Sequence, residues 1–157
     1  MKRKLLLVVC VFSLLLALTA CGDSSSQVQK SAEEIADEIY QTQTFQDSLT
    51  ALDADKLSDF YRIEAADLTA FKVYVSGSFS TAEEIAVFQA SSQDAVDAIQ
   101  KAIDTRLEDL KLAFEGYFPG EMEKINNPVR VTKGTTVVLV LADDTSAVSD
   151  KVDELLK

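Results

Sequence analysis

The stretch Thr135–Ala142, which reads TTVVLVLA, decides the fold of this chain. Its centre, Val137–Leu141, is apolar at every position and rich in β-branched residues, which is typical of a strand buried on both faces. A half-buried strand would instead alternate apolar and polar side chains. We therefore expect this strand to lie centrally in a sheet, under the longest helix of the chain.

That longest helix is predicted over residues 93–117, with Ser92 as its N-cap. Gly116 and the run Phe118-Pro119-Gly120 supply its stop signals. A helix of this length measures roughly 37 Å, which is enough to cover a whole small sheet. Its apolar side chains recur on one face, at Val96, Ile99, Ile103, Leu107, Leu110, Phe114 and Tyr117.

Two hairpins are predicted on either side of this helix. Residues 69–76 alternate apolar and polar side chains, as a half-buried strand does. Residues 81–84 resemble a helix-capping box, but the β-branched and aromatic run after them favours a strand at 84–90 that pairs with 69–76. The second hairpin joins a strand at 129–133 to the central one.

Shorter helices are predicted at both ends of the domain. A capping box at residues 31–34 begins a helix that runs to about residue 44, and a last helix follows Asp143-Asp144. Residues 53–67 indicate a short helical turn and a connection, and residues 121–127 a loop. The prediction is a two-layer α+β fold: an antiparallel four-stranded sheet of two hairpins, covered on one face by the long helix, with N- and C-terminal helices.

The N-terminus carries an export signal. Lys2, Arg3 and Lys4 precede an apolar run that is broken only by Ser13, and the run ends in Leu18-Thr19-Ala20-Cys21. An ordinary secretory signal and a membrane helix are the alternatives, but about 14 apolar residues fall short of the roughly 20 that a spanning helix needs. The four-residue box resembles the lipobox of bacterial lipoproteins.

The lipobox resemblance implies cleavage after Ala20 and attachment of a diacylglycerol, with palmitate-type fatty acids, to Cys21. The predicted organisation is a signal peptide at 1–20, a flexible serine-rich tether at 21–30 and a single domain at 31–157. We therefore expect a protein held at the outer face of the cell membrane by its lipid.

Composition excludes several kinds of chemistry. The chain has no histidine, and its two cysteines are Cys10, in the signal, and Cys21. The folded domain therefore lacks a Ser-His-Asp triad, a disulfide, a thiolate metal site and a cysteine nucleophile. The formal net charge of −11 would repel nucleic acid, so we expect no nucleic-acid partner.

A family resemblance rests on residues 82–144. It combines Glu84–Phe88, Arg106 within the long helix, Tyr117–Glu121, and Gly134 before the valine-rich strand and Asp143-Asp144. This pattern resembles an uncharacterised, clostridial-type family of Gram-positive lipoproteins that is classed as a domain of unknown function. The resemblance extends over the chain from about Ile35. It implies a lipid-anchored extracytoplasmic domain, and it brings no activity, cofactor or catalytic residue.

Arg106 leads the candidate ligand-binding residues. It lies seven residues after Ile99, near the centre of the apolar stripe, so its charge must reach water or meet a carboxylate. The possible carboxylates are Glu64, Asp67, Glu84 and Glu121. Arg106 is then either a clamp for a ligand carboxylate or phosphate, with Glu84, Glu121 and Tyr117 nearby, or half of a structural ion pair.

Acidic residues suggest two weaker sites. Asp53, Asp55, Asp59 and Glu64 match positions 1, 3, 7 and 12 of a calcium loop, but Leu57 and Ser58 occupy positions 5 and 6, which need an oxygen ligand and a glycine. A looser calcium site and simple helix capping both remain open.

Asp143-Asp144 follows the central strand and precedes a helix. It is either a helix cap or half of an acid/base pair with Glu115 or Glu121.

These features favour a non-catalytic binding or accessory module without a cofactor. Its unknown small-molecule or protein partner would bind the exposed sheet face or the surroundings of Arg106. The alternative is a small cell-surface hydrolase that uses carboxylates, with or without assistance from a cation such as calcium. A cleft lined by two or more carboxylates would favour the hydrolase, and a flat face or shallow groove the binding module.

Overall fold

The structure is a computed structural model that describes residues 28–157. The predicted signal peptide, Cys21 and the tether up to residue 27 lie outside the described residues. Among the helices it describes, none is both long enough and apolar enough to cross a membrane.

A five-stranded antiparallel sheet forms the centre of the domain. Its strands are β1 (Leu49–Ala51), β2 (Leu68–Ser76), β3 (Glu84–Ala90), β4 (Val129–Lys133) and β5 (Thr136–Leu141), in the spatial order β1-β2-β3-β5-β4. The two predicted hairpins are present, and β5 is internal as expected. The prediction of four strands was wrong because β1, at three residues, is too short to show an alternating pattern.

Five α-helices surround the sheet in the described region: α1 (Ala32–Thr42), α2 (Leu57–Tyr61), α3 (Gln93–Phe114), α4 (Met122–Asn126) and α5 (Thr145–Leu155). Ser31 and Glu34 form the predicted capping box of α1, and Ser92 and Asp144 cap α3 and α5. The long helix ends at Phe114 rather than at residue 117. A 3₁₀ turn and α4 replace the loop that was predicted at 121–127.

Both faces of the sheet are covered, so the two-layer prediction was wrong. Val137, Leu139 and Leu141 of β5 belong to the core under α3. Val138 and Val140 point the other way, into a second core with α1 and α5. The physical reason is the composition of β5, because a strand that is apolar at every position needs a helix layer on each side.

The last three residues of the predicted tether lie against the domain. Lys30 forms an ion pair with Glu38 of α1, and its carbonyl accepts a hydrogen bond from the Gln89 side chain at 3.0 Å. Val28 packs at the edge of the core shared by α1 and α5. Among the residues that the structure describes, contact with the domain thus includes the tether residues from Val28 onward.

Two acids, the buried Glu83 and the half-buried Asp47, attach β1 to the rest of the sheet. The Glu83 carboxylate accepts the backbone N–H groups of Gln46 at 2.7 Å and Asp47 at 2.9 Å. Asp47 in turn accepts from the hydroxyls of Ser76 and Ser78, and these hydrogen bonds lower its pKa. The loop before β1 is thus tied to the ends of β2 and β3.

Gly77→Ala should weaken this junction. A Cβ at Gly77 would lie 2.8 Å from the Ser48 carbonyl oxygen and 2.9 Å from Thr50 Oγ1, on both sides of the start of β1. We expect a loss of about 1–3 kcal/mol in the free energy of unfolding, measured by urea denaturation. The control is Gly120→Ala, whose Cβ meets no atom within 4 Å. Equal losses in the two variants would contradict the close approach at Gly77.

Candidate functional site

A cavity of about 310 Å³ opens between α3, the start of β3 and the loop that joins β2 to β3. We call it the Arg106 cavity. Its lining comes from α2, α3, the end of β2, the hairpin loop and the start of β3, and its charged pair is Glu84 of β3 and Arg106 of α3. The residues on which the argument depends are Phe60, Phe79, Glu84, Arg106, Leu110 and Phe114.

A buried ion pair forms the polar part of this cavity. Glu84 begins β3 on the same face as Ala86 and Phe88, so its carboxylate points toward α3. Arg106 Nη2 donates to Glu84 Oε2 at 2.6 Å, and Arg106 Nε donates to the same oxygen at 3.2 Å. The Tyr61 hydroxyl, itself fully buried, donates to Glu84 Oε1. Of the four carboxylates that the sequence offered as partners of Arg106, Glu84 is the one that pairs with it.

The environment keeps Arg106 charged and Tyr61 protonated. Burial alone would lower the pKa of Arg106, but the Glu84 carboxylate outweighs burial and raises that pKa above its ordinary value. Burial and the same carboxylate raise the pKa of Tyr61 well above the usual range of a phenol. Tyr61 is therefore a hydrogen-bond donor at any physiological pH, and it cannot serve as a base.

Arg106 retains donor capacity toward the cavity. Its guanidinium carbon lies 4.9 Å from the centre of the Phe60 ring, within the range of a cation–π contact. Nη1 makes no hydrogen bond to any of residues 28–157, yet no buried side-chain nitrogen or oxygen in that range lacks a partner. Nη1 is therefore accessible to solvent, and the Arg106 side chain as a whole is 15% exposed.

Phe79 stands at the mouth of the Arg106 cavity. It lies in the loop between β2 and β3, its side chain is 66% exposed, and its backbone φ is +57°. The left-handed region disfavours residues with a Cβ, and large apolar side chains are usually buried. A strained, exposed aromatic ring beside a cavity is the kind of departure that points to a ligand contact.

The other two predicted ligand-binding residues do not join Arg106. Tyr117 lies beyond the end of α3, is 82% exposed and does not line the cavity. Glu121 accepts the backbone N–H of Ala82 at 2.8 Å and pairs with Lys124 at 2.9 Å. Glu121 therefore fixes the segment that leads into β3, and it acts on the cavity only by positioning its wall.

Lys124 lies between Glu121 and Asp143 and brings the two acids close together. These two acids were predicted from the sequence as one possible acid/base pair. Its buried Nζ lies 2.9 Å from Glu121 Oε2 and 3.1 Å from Asp143 Oδ1. Burial would lower the pKa of Lys124, but these carboxylates raise it. A hydrogen bond from Gln46 and the charge of Lys124 lower the pKa of Asp143, so that acid stays ionised at neutral pH and cannot donate a proton. Asp144 caps α5, as the capping interpretation predicted.

The four acids of the predicted calcium loop do not converge. Asp53, Asp55, Asp59 and Glu64 are all exposed, and the described residues contain no group of three or more acids, histidines or cysteines that could hold a metal ion. The reason is local: Ala54–Tyr61 is helical, whereas a calcium loop must wrap around its ion. Asp55 and Glu64 do line a separate groove beside β2.

Sequence reasoning missed three residues of the site. Phe60 and Tyr61 fall within residues 53–67, which were predicted only as a short helical turn and a connection, although they contact the guanidinium and the carboxylate. Phe79 carried a signal that could have found it. It is a large aromatic residue within the polar turn 77–81, where nothing in the sequence pattern provides a core for it.

The comparison with known proteins gives a family and no activity. The family model described as "Domain of unknown function (DUF4358)" matches residues 41–142, which include the whole sheet, α3 and the Arg106 cavity. Comparisons with curated proteins and with solved structures find no match. Helices α1 and α5 lie almost entirely outside the matched range.

Removing the guanidinium should destabilise the domain through the charge it leaves behind. Arg106→Met leaves the buried Glu84 carboxylate without its cationic partner. We expect a loss of about 3–5 kcal/mol in the free energy of unfolding, measured by urea denaturation. The double variant Arg106→Met/Glu84→Gln should recover much of this loss, because a neutral amide can still accept from Tyr61. A double variant as unstable as the single one would contradict the argument.

The matched control for that experiment is Arg62→Met. Arg62 pairs with Asp109 at 2.7 Å, but the two side chains are 56% and 39% exposed. Its loss should cost less than about 1 kcal/mol.

Proposed function

The chain belongs to the DUF4358 family, a domain of unknown function, and we propose that it is a non-catalytic binding module whose ligand occupies the Arg106 cavity. The ligand class that fits is a small neutral molecule with an apolar or aromatic body and a carbonyl or hydroxyl oxygen. One observation carries the proposal: Arg106 lines an apolar cavity with an accessible Nη1 that has no hydrogen-bond partner among the described residues.

Charge balance favours a neutral ligand group. The positive charge of Arg106 is already matched by the Glu84 carboxylate. An anionic ligand would therefore meet no net positive charge, whereas a neutral acceptor gains a charge-assisted hydrogen bond at lower desolvation cost. This argument favours a carbonyl or hydroxyl over the carboxylate or phosphate expected from the sequence.

Shape and wall chemistry favour an apolar body. The volume of about 310 Å³ is at the small end of ligand sites. Phe60, Phe114 and the exposed Phe79 line the cavity with aromatic side chains, and Leu110 adds an aliphatic one. Rings in such positions stack on flat or apolar groups, and they gain most from a ligand that covers Phe79.

The acids support binding rather than catalysis. Glu84 is held by Arg106 and Tyr61, and Glu83 by two backbone N–H groups. Glu121 and Asp143 are paired with Lys124. Each of these carboxylates already accepts structural hydrogen bonds, whereas general acid–base work needs a carboxyl group that is placed to exchange its proton with a substrate.

We also propose that the domain is anchored by lipid at Cys21 on the outer face of the cell membrane. The support is the sequence Leu18-Thr19-Ala20-Cys21, placed after a basic segment and a short apolar run. An anchored module of this kind would present the Arg106 cavity to molecules outside the cell.

The ligand proposal is tested by thermal shift of the full-length chain in a non-ionic detergent. The probes are N-acetyl-phenylalaninamide, which is neutral, and N-acetyl-phenylalanine, which is anionic. A ligand at ten times its Kd adds about 1.4 kcal/mol to stability. That gain corresponds to a rise in Tm on the order of 4 °C for a domain of this size. We expect a rise with the amide that clearly exceeds the rise with the acid.

The diagnostic variant is Phe79→Ser, since Phe79 is exposed and its loss removes no core packing. It should weaken binding of the amide while the Tm without ligand stays unchanged. Leu112→Ser is the control, because Leu112 is 78% exposed on α3 and does not line the cavity. Binding of the acid alone, or equal weakening by both variants, would refute the proposed site.

Lipidation is tested by growth with an alkyne-tagged palmitate. The natural chain should incorporate the tag and sediment with membranes, and Cys21→Ser should lose both properties. Cys10→Ser is the control because Cys10 would leave with the signal peptide. Label retained by Cys21→Ser would contradict anchoring at that position.

A further inference from the structure

The outer side of β2 is left open over half of its length. Strand β1 pairs with β2 from Leu49 opposite Ser76 to Ala51 opposite Tyr74, and Leu52 N–H adds one more bond, to the Val73 carbonyl at 2.8 Å. The chain then turns away into the 3₁₀ turn Ala54–Lys56. Within residues 28–157, Leu68–Lys72 has a strand neighbour on one side, β3, and none on the other. We call this outer side the open edge.

Backbone groups of Phe71 point outward at the open edge. In an antiparallel strand the N–H and C=O of one residue point to the same side, and successive residues alternate. Ser76 N–H donates to Glu83 next to β3, whereas Val73 C=O accepts from Leu52 on the β1 side. By this alternation, Phe71 presents its N–H and C=O to the position where β1 would have continued.

A groove runs along the open edge. It has a volume of about 580 Å³, and we call it the edge groove. Its apolar lining includes Leu57, Ile63, Leu68 and Phe71, and its acidic groups are Asp55 and Glu64, both exposed. Among the described residues that line it, none is basic. Lys72, the nearest cation of β2 in sequence, is turned to the opposite face, where it pairs with Glu33.

We propose that the edge groove binds an extended basic peptide segment of a partner protein, which adds to β2 as a sixth strand in the position that β1 leaves vacant. Strand addition supplies main-chain hydrogen bonds to Phe71 and pockets for alternate side chains. Lys or Arg suits those pockets, because the aliphatic stem packs on Leu57 and Ile63 while the cationic head reaches Asp55 and Glu64. This surface is distinct from the Arg106 cavity and does not depend on the proposed ligand.

Charge argues against a second copy of this chain as the occupant. The chain has a formal net charge of −11. Edge-to-edge pairing of two copies would also bring the Asp55 and Glu64 pair of each molecule close to that of the other. Like charges across a strand pair are destabilising.

The geometry fixes which backbone positions of the peptide matter. A residue directly opposite Phe71 in an antiparallel pair has its side chain on the same face as Phe71 and its N–H directed at β2. In a peptide of alternating lysine and threonine, the lysines that enter the groove are therefore the residues whose N–H groups bond to β2. N-methylation of the lysines should abolish binding, and N-methylation of the threonines should leave it within about twofold.

The experiment measures fluorescence anisotropy of a labelled eight-residue Lys-Thr peptide with the full-length chain in a non-ionic detergent, corrected for binding to detergent alone. Hydrogen exchange at the Phe71 amide is followed in parallel. We expect saturable binding, slower exchange at Phe71, and no binding of the matching Glu-Thr peptide.

Two protein variants provide a matched pair. Asp55→Asn/Glu64→Gln removes the two charges of the edge groove and should weaken binding at least about fivefold, since two exposed ion pairs are lost. Asp53→Asn/Asp59→Asn removes two exposed charges from the same segment outside the groove and should leave binding within about twofold.

Three outcomes would overturn the proposal: no saturable binding, equal tolerance of both methylated peptides, or binding without protection of the Phe71 amide. Concentration-dependent dimerisation that protects the same amide in the absence of peptide would assign the edge to a second copy instead. Because the Phe79→Ser variant leaves the edge groove intact, a failed ligand test and a failed peptide test are distinguishable.

Discussion

The burial of β5 on both faces is the constraint on which the architecture depends. Residues 136–141 are all buried, and their side chains alternate between the core under α3 and the core shared by α1 and α5. Each large apolar side chain contributes about 1.5–3 kcal/mol when it is removed from water, so neither face of the strand can be left open. With both faces occupied by helices, the surfaces that remain for recognition are the sheet edges and the ends of the strands. The Arg106 cavity and the edge groove lie in such places.

Glu84 adds a second constraint because a carboxylate at the start of an internal strand must be compensated. Its partners come from two helices that are distant in sequence, Arg106 of α3 and Tyr61 of α2. A buried charge left unpaired costs several kcal/mol, so α3 must lie over the sheet where Arg106 can reach Glu84. The consequence is a cavity in which one guanidinium nitrogen stays accessible while the rest of the network is satisfied. Preorganised donors of this kind orient a ligand at low cost because they need no rearrangement on binding.

The regular elements could be predicted because their signals are local. Strand β3 was predicted with its observed bounds, and Ser92 and the apolar stripe of α3 marked the long helix correctly up to Phe114. The same apolar run in β5 that revealed the central strand also implied two covering layers, and the prediction of one layer ignored that implication. The calcium-loop interpretation considered the spacing of the acids but not the helical turn that contains them. Strand β1 and the contacts of Tyr61 depend on residues far away in the chain, and no local pattern encodes them.

The segment 52–65 connects the two surfaces. Phe60 and Tyr61 of α2 contact the Arg106 cavity and its ion pair, whereas Leu57 and Ile63 line the edge groove. The segment has no side-chain caps at the starts of its helical turns, and α2 spans one and a half turns, so tertiary packing rather than intrinsic helix stability holds it in place. Substitution of a buried residue such as Leu57 would therefore disturb both surfaces at once. The exposed acids Asp55 and Glu64 can be changed without that effect. Substitution of these acids therefore tests the edge groove more specifically than substitution of its apolar residues.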